Sequence, residues 1–224
     1  MIPIKSEEDM EMMRKTGEIL ARVMQKLKAK IKIGIRTEEI DRWAADFITM
    51  ESATSAFKNY KGFPANICIS INEEVVHGIP DQRILEEGDI ISVDVGINFN
   101  GYFSDAAITL PIGKIDSHKR RLIAVTKKAL YLGIEKAKED NHLSDISYAI
   151  QKYVESNGFS VVRQFVGHGI GLSMHEEPEI PNFGRPHQGP RLLSGMVLAI
   201  EPMVNMGTWE VCIRDNGWTA VTKD

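Results

Sequence analysis

Cysteine is scarce in this sequence. Cys68 and Cys212 are the only two among 224 residues. That is too few for a disulfide framework, and in a chain with no export signal they read as two reduced thiols in the cytosol. Long apolar runs are missing as well. Stretches such as Met196 to Ile200 fall far short of the roughly 20 residues that a membrane helix requires. The opening Met1-Ile2-Pro3-Ile4-Lys5 turns acidic at once, which is not the pattern of a signal peptide. Nor is there an excess of positive charge. Lys and Arg number 27 against 31 Asp and Glu, for a net charge of −4 and a pI near 5.9. With the two signs interspersed, the basic stripe left by nucleic-acid binding is not visible. Low-complexity tracts and flexible linkers are also lacking, and 43% of the residues are hydrophobic. This composition suits one sizeable core and a single domain.

Helical and strand patterns alternate in blocks. Ser6-Glu7-Glu8-Asp9 reads as a capped helix start, and Met13, Leu20, Val23, Met24, Leu27 and Ile31 follow at helical spacing. Thr37-Glu38-Glu39 caps a second helix with Ile40, Trp43, Ala44 and Phe47 on one face. Strand-like segments come next at Asn66 to Ile71, Asp89 to Ile97 and Tyr102 to Leu110. The order then restarts. Asp116 and Ser117 open a helix with Leu122, Val125, Ala129 and Leu132, and Ser144-Asp145 opens another with Ile146, Ala149, Ile150 and Tyr153. Strands are expected at Val161 to Val166, Met196 to Val204, Glu210 to Ile213 and Trp218 to Val221. Two halves, 1–113 and 114–224, therefore share one pattern. Strands grouped after helices imply an α+β fold with helices on one face of a mainly antiparallel sheet.

Three segments carry chemistry. In the first, Asn98-Phe99-Asn100-Gly101 reads as a turn between two strands. With Phe99 and Asn100 central, Ile97 pairs with Tyr102, Gly96 with Phe103, Val95 with Ser104, and Asp94 with Asp105. Opposed residues have β-carbons about 4.5–5.5 Å apart, and like charges there repel unless a cation lies between them. Taken alone, the hairpin is equally compatible with two solvent-facing aspartates. The second segment, Gly167-His168-Gly169-Ile170-Gly171, frames a histidine with glycines that let the backbone approach a ligand, and His175 follows seven residues later. In the third, Met196-Val-Leu-Ala-Ile200 ends on Glu201. A carboxylate buried there is costly unless paired or bound to metal. One shared metal site accounts for Asp94, Asp105, His168 and Glu201 together.

These residues carry a resemblance. VDVGINFNGYFSDAAITL, GHGIGLSMHEEP and AIEPMVN, with NEEVVHGIP around His77, resemble bacterial type I methionine aminopeptidases from the first helix to the last residue. The resemblance implies the pita-bread fold, whose two pseudo-symmetric halves match the repeated pattern. It also implies a metal-dependent hydrolase that removes the first methionine from nascent polypeptides when the next residue is small. Its site would hold two divalent ions. Asp94 would chelate one ion, Asp105 would bridge both, and His168 and Glu201 would hold the other. His175 and Glu201 are the implied catalytic residues. His175 is placed to hydrogen-bond the scissile carbonyl oxygen, and His77 to contact the amide beyond it. Tyr60, Phe63, Cys68, Met174 and Trp218 would line the methionine pocket, with Phe57 and Met174 differing from the residues common in relatives. Two ions about 3.5–4 Å apart share a hydroxide that attacks the peptide carbonyl. Carboxylates plus an imidazole suit manganese, ferrous iron, cobalt or zinc. The implied setting is a cytoplasmic monomer acting on nascent N-termini at the ribosome.

Chains of this family continue past a segment like Asp215 to Asp224 into a strand with a second bridging glutamate, whereas this sequence stops at Asp224. The expectation is that only one ion binds tightly to the 224 residues. Glu210 is the one remaining candidate carboxylate near Glu201 in sequence, and it reads as a structural or exposed residue. Two alternatives stay open at this point. One is a metal-poor peptide-binding relative with little activity, and the other is an Xaa-Pro-cleaving member of the same fold.

Overall fold

The computed structural model describes residues 2–224. Helix α1 (Glu7–Lys30) begins at Ser6, whose hydroxyl accepts from the Asp9 amide while the Asp9 carboxylate accepts from the Ser6 amide. This is a reciprocal cap. Helix α2 (Thr37–Met50) is capped one residue before the expected position. Arg36 is the capping position, and its amide donates to the Glu39 carboxylate at 3.0 Å. The Thr37 hydroxyl is engaged instead with the Asp81 carbonyl. Both helices pack Leu20, Val23, Leu27, Ile40 and Ile48 against the buried face of an antiparallel sheet. Its strands are β1 (Thr54–Ser55), β2 (Cys68–Ile71), β4 (Ile90–Phe99) and β5 (Tyr102–Pro111), with β4 paired to the other three. Strand β3 (Glu74–Val76), absent from the expected set, lies between β2 and β4 in sequence.

The β4–β5 register differs from expectation by two residues. Phe99 pairs with Tyr102, Gly96 with Asp105, and Asp94 with Ala107. Asn100 and Gly101, at φ of 52° and 87°, form the two-residue turn. Two left-handed residues match the strand twist, and Asn-Gly adopts them at low cost. The expected turn would have placed Phe99 there. Side chains alternate with period 2, so a slip of two keeps Asp94 and Asp105 on one face. They are diagonal neighbours rather than opposed.

The rest of the chain builds a second layer. Helix α3 (Ser117–Ile134) is capped by Asp116, as expected. Helix α4 (Leu143–Ser156) starts ahead of Ser144, because the Asp145 carboxylate closes the cap on the His142 amide. Their buried faces meet Phe159, Val161, Ile180 and Leu192. Strands β6 (Ser160–Val161), β7 (Gly167–Gly169), β8 (Glu176–Ile180), β9 (Leu198–Ala199), β10 (Val204–Asn205), β11 (Val211–Ile213) and β12 (Ala220–Thr222) complete the chain. The expected continuous strand from Met196 to Val204 is split into β9 and β10, with Pro202 between them unable to donate to a ladder. The expected strand at 161–166 reduces to β6. Strand β7 lies between β8 and β9, and β9 has no other strand partner among the described residues. Strand β12 joins β11 to β3, which links the end of the chain to the first layer.

Candidate metal centre

Three elements deliver the central side chains. Asp94 and Asp105 come from the polar face of the β4–β5 hairpin, His168 from the middle of β7, and Glu201 from just beyond β9. Strand β7 has no β-pattern of its own. Its glycines are required because both neighbours press close. A β-carbon on Gly167 would meet the Ala199 carbonyl at 2.3 Å, and one on Gly169 the Glu177 carbonyl at 2.3 Å. Ladder pairing of His168 with Ala199 then sets the imidazole against Glu201.

His168 is buried, and its Nδ1 lies 2.8 Å from the Gly169 carbonyl oxygen. A carbonyl only accepts, so Nδ1 carries the proton and a neutral ring turns a bare Nε2 inward. That Nε2 faces Glu201 Oε1 at 3.2 Å and Asp105 Oδ2 at 3.7 Å. Ligand atoms of Asp105, His168 and Glu201 all lie within 4.8 Å of one another. Asp105 Oδ1 and Glu201 Oε1 are buried with no hydrogen-bond donor among the described residues. A nitrogen lone pair and several carboxylate oxygens thus converge with too few protons to share. Buried acceptors left this way cost on the order of 1–3 kcal/mol each, and a divalent cation is the species that satisfies them all. The donor set fits the metal.

Electrostatics agree. Burial, then the Asp105 charge, push the Asp94 carboxyl well above the usual range. Burial and Asp105 likewise raise Glu201 to about 7, against a smaller opposing pull from His168. For His168, burial lowers the pKa, but the nearby Asp105 carboxylate, the Gly169 carbonyl and the Glu201 charge leave it raised. A second group, His142, Asp145 and His187, is also close enough to share an ion. There, however, both Asp145 oxygens are taken by the His142 and His187 amides at 2.9 and 2.8 Å, so its work is capping α4.

Beside the centre, the rings of His175 and His168 are 4.2 Å apart. Tyr60 stacks on His175, and its hydroxyl lies 2.8 Å from His175 Nδ1. Burial, followed by the neighbouring His168, lowers His175 to about 4. His77, at φ 58°, packs edge-on against Phe165, and burial lowers its pKa. The five expected pocket residues fall in one apolar cluster. Phe63, Cys68 and Met174 are buried, and Tyr60 and Trp218 pack on them together with Phe57 and Ile170. Trp218 meets Phe63 edge-on at 5.2 Å. Glu210 is not in the centre. It is half exposed and pairs with Lys223 at 3.3 Å.

Three residues around the site carry no sequence signal. Asn182, fully buried, donates to the Glu201 carbonyl at 2.7 Å. Lys5 and Glu176 form an enclosed ion pair at 2.5 Å beside the loop that bears His175. Only proximity in the fold reveals them.

Known proteins resemble this chain in sequence and fold. Residues 11–222 match Metallopeptidase family M24. The methionine aminopeptidase of Clostridium perfringens is 54% identical over the whole chain and 90% of its own length. Methionine aminopeptidase 1 of Bacillus subtilis is 50% identical with the same coverage. The crystal structure of the Thermotoga maritima methionine aminopeptidase superposes with a TM-score of 0.98 at 42% identity, over 100% of this chain and 90% of that one.

Proposed function

Because the chain belongs to metallopeptidase family M24, we propose that Asp94, Asp105, His168 and Glu201 would hold its divalent metal. The chain is a metal-dependent aminopeptidase of the pita-bread fold that removes N-terminal methionine. The reading of its residues is supported above all by the convergence around His168 Nε2 of carboxylate oxygens that lack hydrogen-bond donors. When bound, the metal supplies Lewis acidity toward the peptide carbonyl and lowers the pKa of a water. Carboxylates and an imidazole suit manganese, ferrous iron, cobalt or zinc. Cys68, raised by burial and by Asp94, stays a thiol in the pocket wall.

The protein's own groups do the rest. His175 is neutral at physiological pH. With the Tyr60 hydroxyl donating to Nδ1, the proton of His175 sits on Nε2. There it donates to the scissile carbonyl oxygen as negative charge builds on it, and such a fixed donor acts most strongly where water is excluded. His77 contacts the amide beyond the scissile bond. The cluster of Tyr60, Phe63, Cys68, Met174 and Trp218 takes the methionine side chain and excludes water from it. Residues 1–224 act as one catalytic unit whose halves, 1–113 and 114–224, each contribute one side of the centre. The substrates are nascent polypeptides with a small second residue, met in the cytoplasm at the ribosome by a monomer. No described helix is long and apolar enough to cross a membrane.

The Asp105→Ala variant tests this reading. It should abolish manganese-dependent release of methionine from Met-Gly and Met-Ala peptides and lower manganese affinity in calorimetric titration. Its metal-free melting temperature should not fall, because a repelling charge is removed. Wild-type turnover with unchanged metal content would refute the metal centre, and preference for Xaa-Pro peptides would refute the substrate.

A further inference from the structure

His175 and Met174 sit on a short turn, 171–176, that has little secondary structure of its own. Its hydrogen bonds converge on Glu176. Glu176 Oε1 accepts from the Leu172 amide at 2.8 Å and the Ser173 amide at 3.1 Å, while Gly171 donates to the Ser173 carbonyl at 3.2 Å. The other oxygen, Oε2, is met by Lys5 Nζ at 2.5 Å. The two side chains are 5% and 11% exposed. Every other Lys or Arg ion pair among the described residues has one partner at least 36% exposed. Lys5 is itself pinned. Its amide donates to the Gly195 carbonyl at 2.8 Å. Two glycines leave the groove in which it lies. A β-carbon on Gly171 would stand 2.2 Å from Lys5 Cε, and one on Gly195 2.7 Å from Ile4 Cγ2.

A buried ion pair is a weak source of stability, since desolvation offsets most of its attraction. Its value lies in fixing one arrangement, and the arrangement fixed here is the turn beside the metal centre. On the aminopeptidase reading given above, we infer that Lys5 is a positioning residue for methionine removal. Its ammonium completes Glu176, which holds the turn so that His175 faces the scissile carbonyl and Met174 closes the methionine pocket. Phe103, on the strand that carries Asp105, donates to the Gly171 carbonyl at 2.8 Å. The turn is therefore referenced to the metal centre from one side and to the N-terminal segment from the other.

Lys5→Met keeps an unbranched chain of similar length and removes only the charge. At a temperature where the variant is fully folded, kcat/KM on a Met-Ala peptide should fall about 10- to 100-fold, the scale of an ångström-sized misplacement. Manganese affinity should stay within about twofold of wild type. Hydrogen exchange of the Leu172 and Ser173 amides should accelerate while amides inside α1 and α3 keep their protection. The double variant Lys5→Met/Glu176→Gln, with no stranded charge and an acceptor still present for both amides, should recover part of the loss. A kcat/KM within twofold of wild type, or exchange that speeds up equally everywhere, would overturn the positioning role. If the wild-type chain itself releases no methionine, the functional reading fails. The local exchange at Leu172 and Ser173 still decides what Lys5 does.

Discussion

Replacing Gly167 by alanine tests whether close approach of β7 to β9 sets the metal centre. Gly167 precedes His168, and an added β-carbon would lie 2.3 Å from the Ala199 carbonyl oxygen. Real β-carbon contacts essentially never fall below 3.0 Å, and ordinary contact starts at 3.4 Å. The strands must therefore part by about 0.7 to 1.1 Å, the gap between those limits and 2.3 Å. The β7–β9 ladder pairs only His168 with Ala199 and Gly169 with Leu198, whereas β8 also anchors β7 from the other side. Strand β9 is thus the element that yields. Glu201 lies two residues beyond Ala199, so the displacement carries into the 3.2 Å separation of Glu201 Oε1 from His168 Nε2.

Metal sites accept ligand distances within roughly 0.2 Å of ideal, and a misplacement of an ångström costs about 10²-fold. Gly167→Ala should accordingly bind manganese about 100-fold more weakly by calorimetric titration and lose a similar factor in kcat/KM on Met-Ala peptides. Gly17→Ala is the control. Gly17 lies inside α1 with nothing within 4 Å of its added carbon, so that variant should keep full activity and gain about 0.5–1 kcal/mol in stability. A Gly167→Ala protein with metal affinity and turnover within twofold of wild type would refute the reasoning.

Two further outcomes are expected. Glu51, at the end of α2, is hydrogen-bonded by Arg22 and Lys26 of α1, and those bonds lower its pKa to about 2. A carboxyl depressed on folding stabilises the protein above its unfolded pKa, about 4.3, and the gain is lost as pH falls toward the folded value. Wild type should therefore melt above Glu51→Gln by a constant margin between pH 7 and 5, and melting scans should show that margin narrowing below pH 4. Met174→Ala removes a side chain 2% exposed in the apolar cluster and should cost about 2–5 kcal/mol in urea unfolding. Met174 is a wall of the proposed methionine pocket, so its loss should raise the KM for Met-Ala peptides severalfold with manganese affinity unchanged. An unchanged KM would remove it from the pocket.

Local signals were legible where the physics is local. The Ser6–Asp9 cap of α1 and the Asp116 cap of α3 are stated by three or four adjacent residues, and the structure keeps both. Strand β7 could not be read, because Gly-His-Gly has no alternation. It is a strand only because β8, which follows it, and the more distant β9 close on it from both sides. The hairpin lies between these cases. Its register differs from the expected one by two, yet both aspartates still share a face, since a slip of two preserves parity and a slip of one would have put them on opposite faces. A site inferred from which face residues occupy tolerates such an error, and a site inferred from directly opposed pairs does not. Lys5 and Glu176 lie at the opposite extreme. They are 171 positions apart, and a lysine read in sequence is almost always placed in water. No window of residues announces that a distant glycine, Gly171, leaves room for its stem while another, Gly195, leaves room for the backbone around it. Positioning groups of this kind, made of an ordinary charge in an unusual enclosure, become visible only when the chain has folded around them.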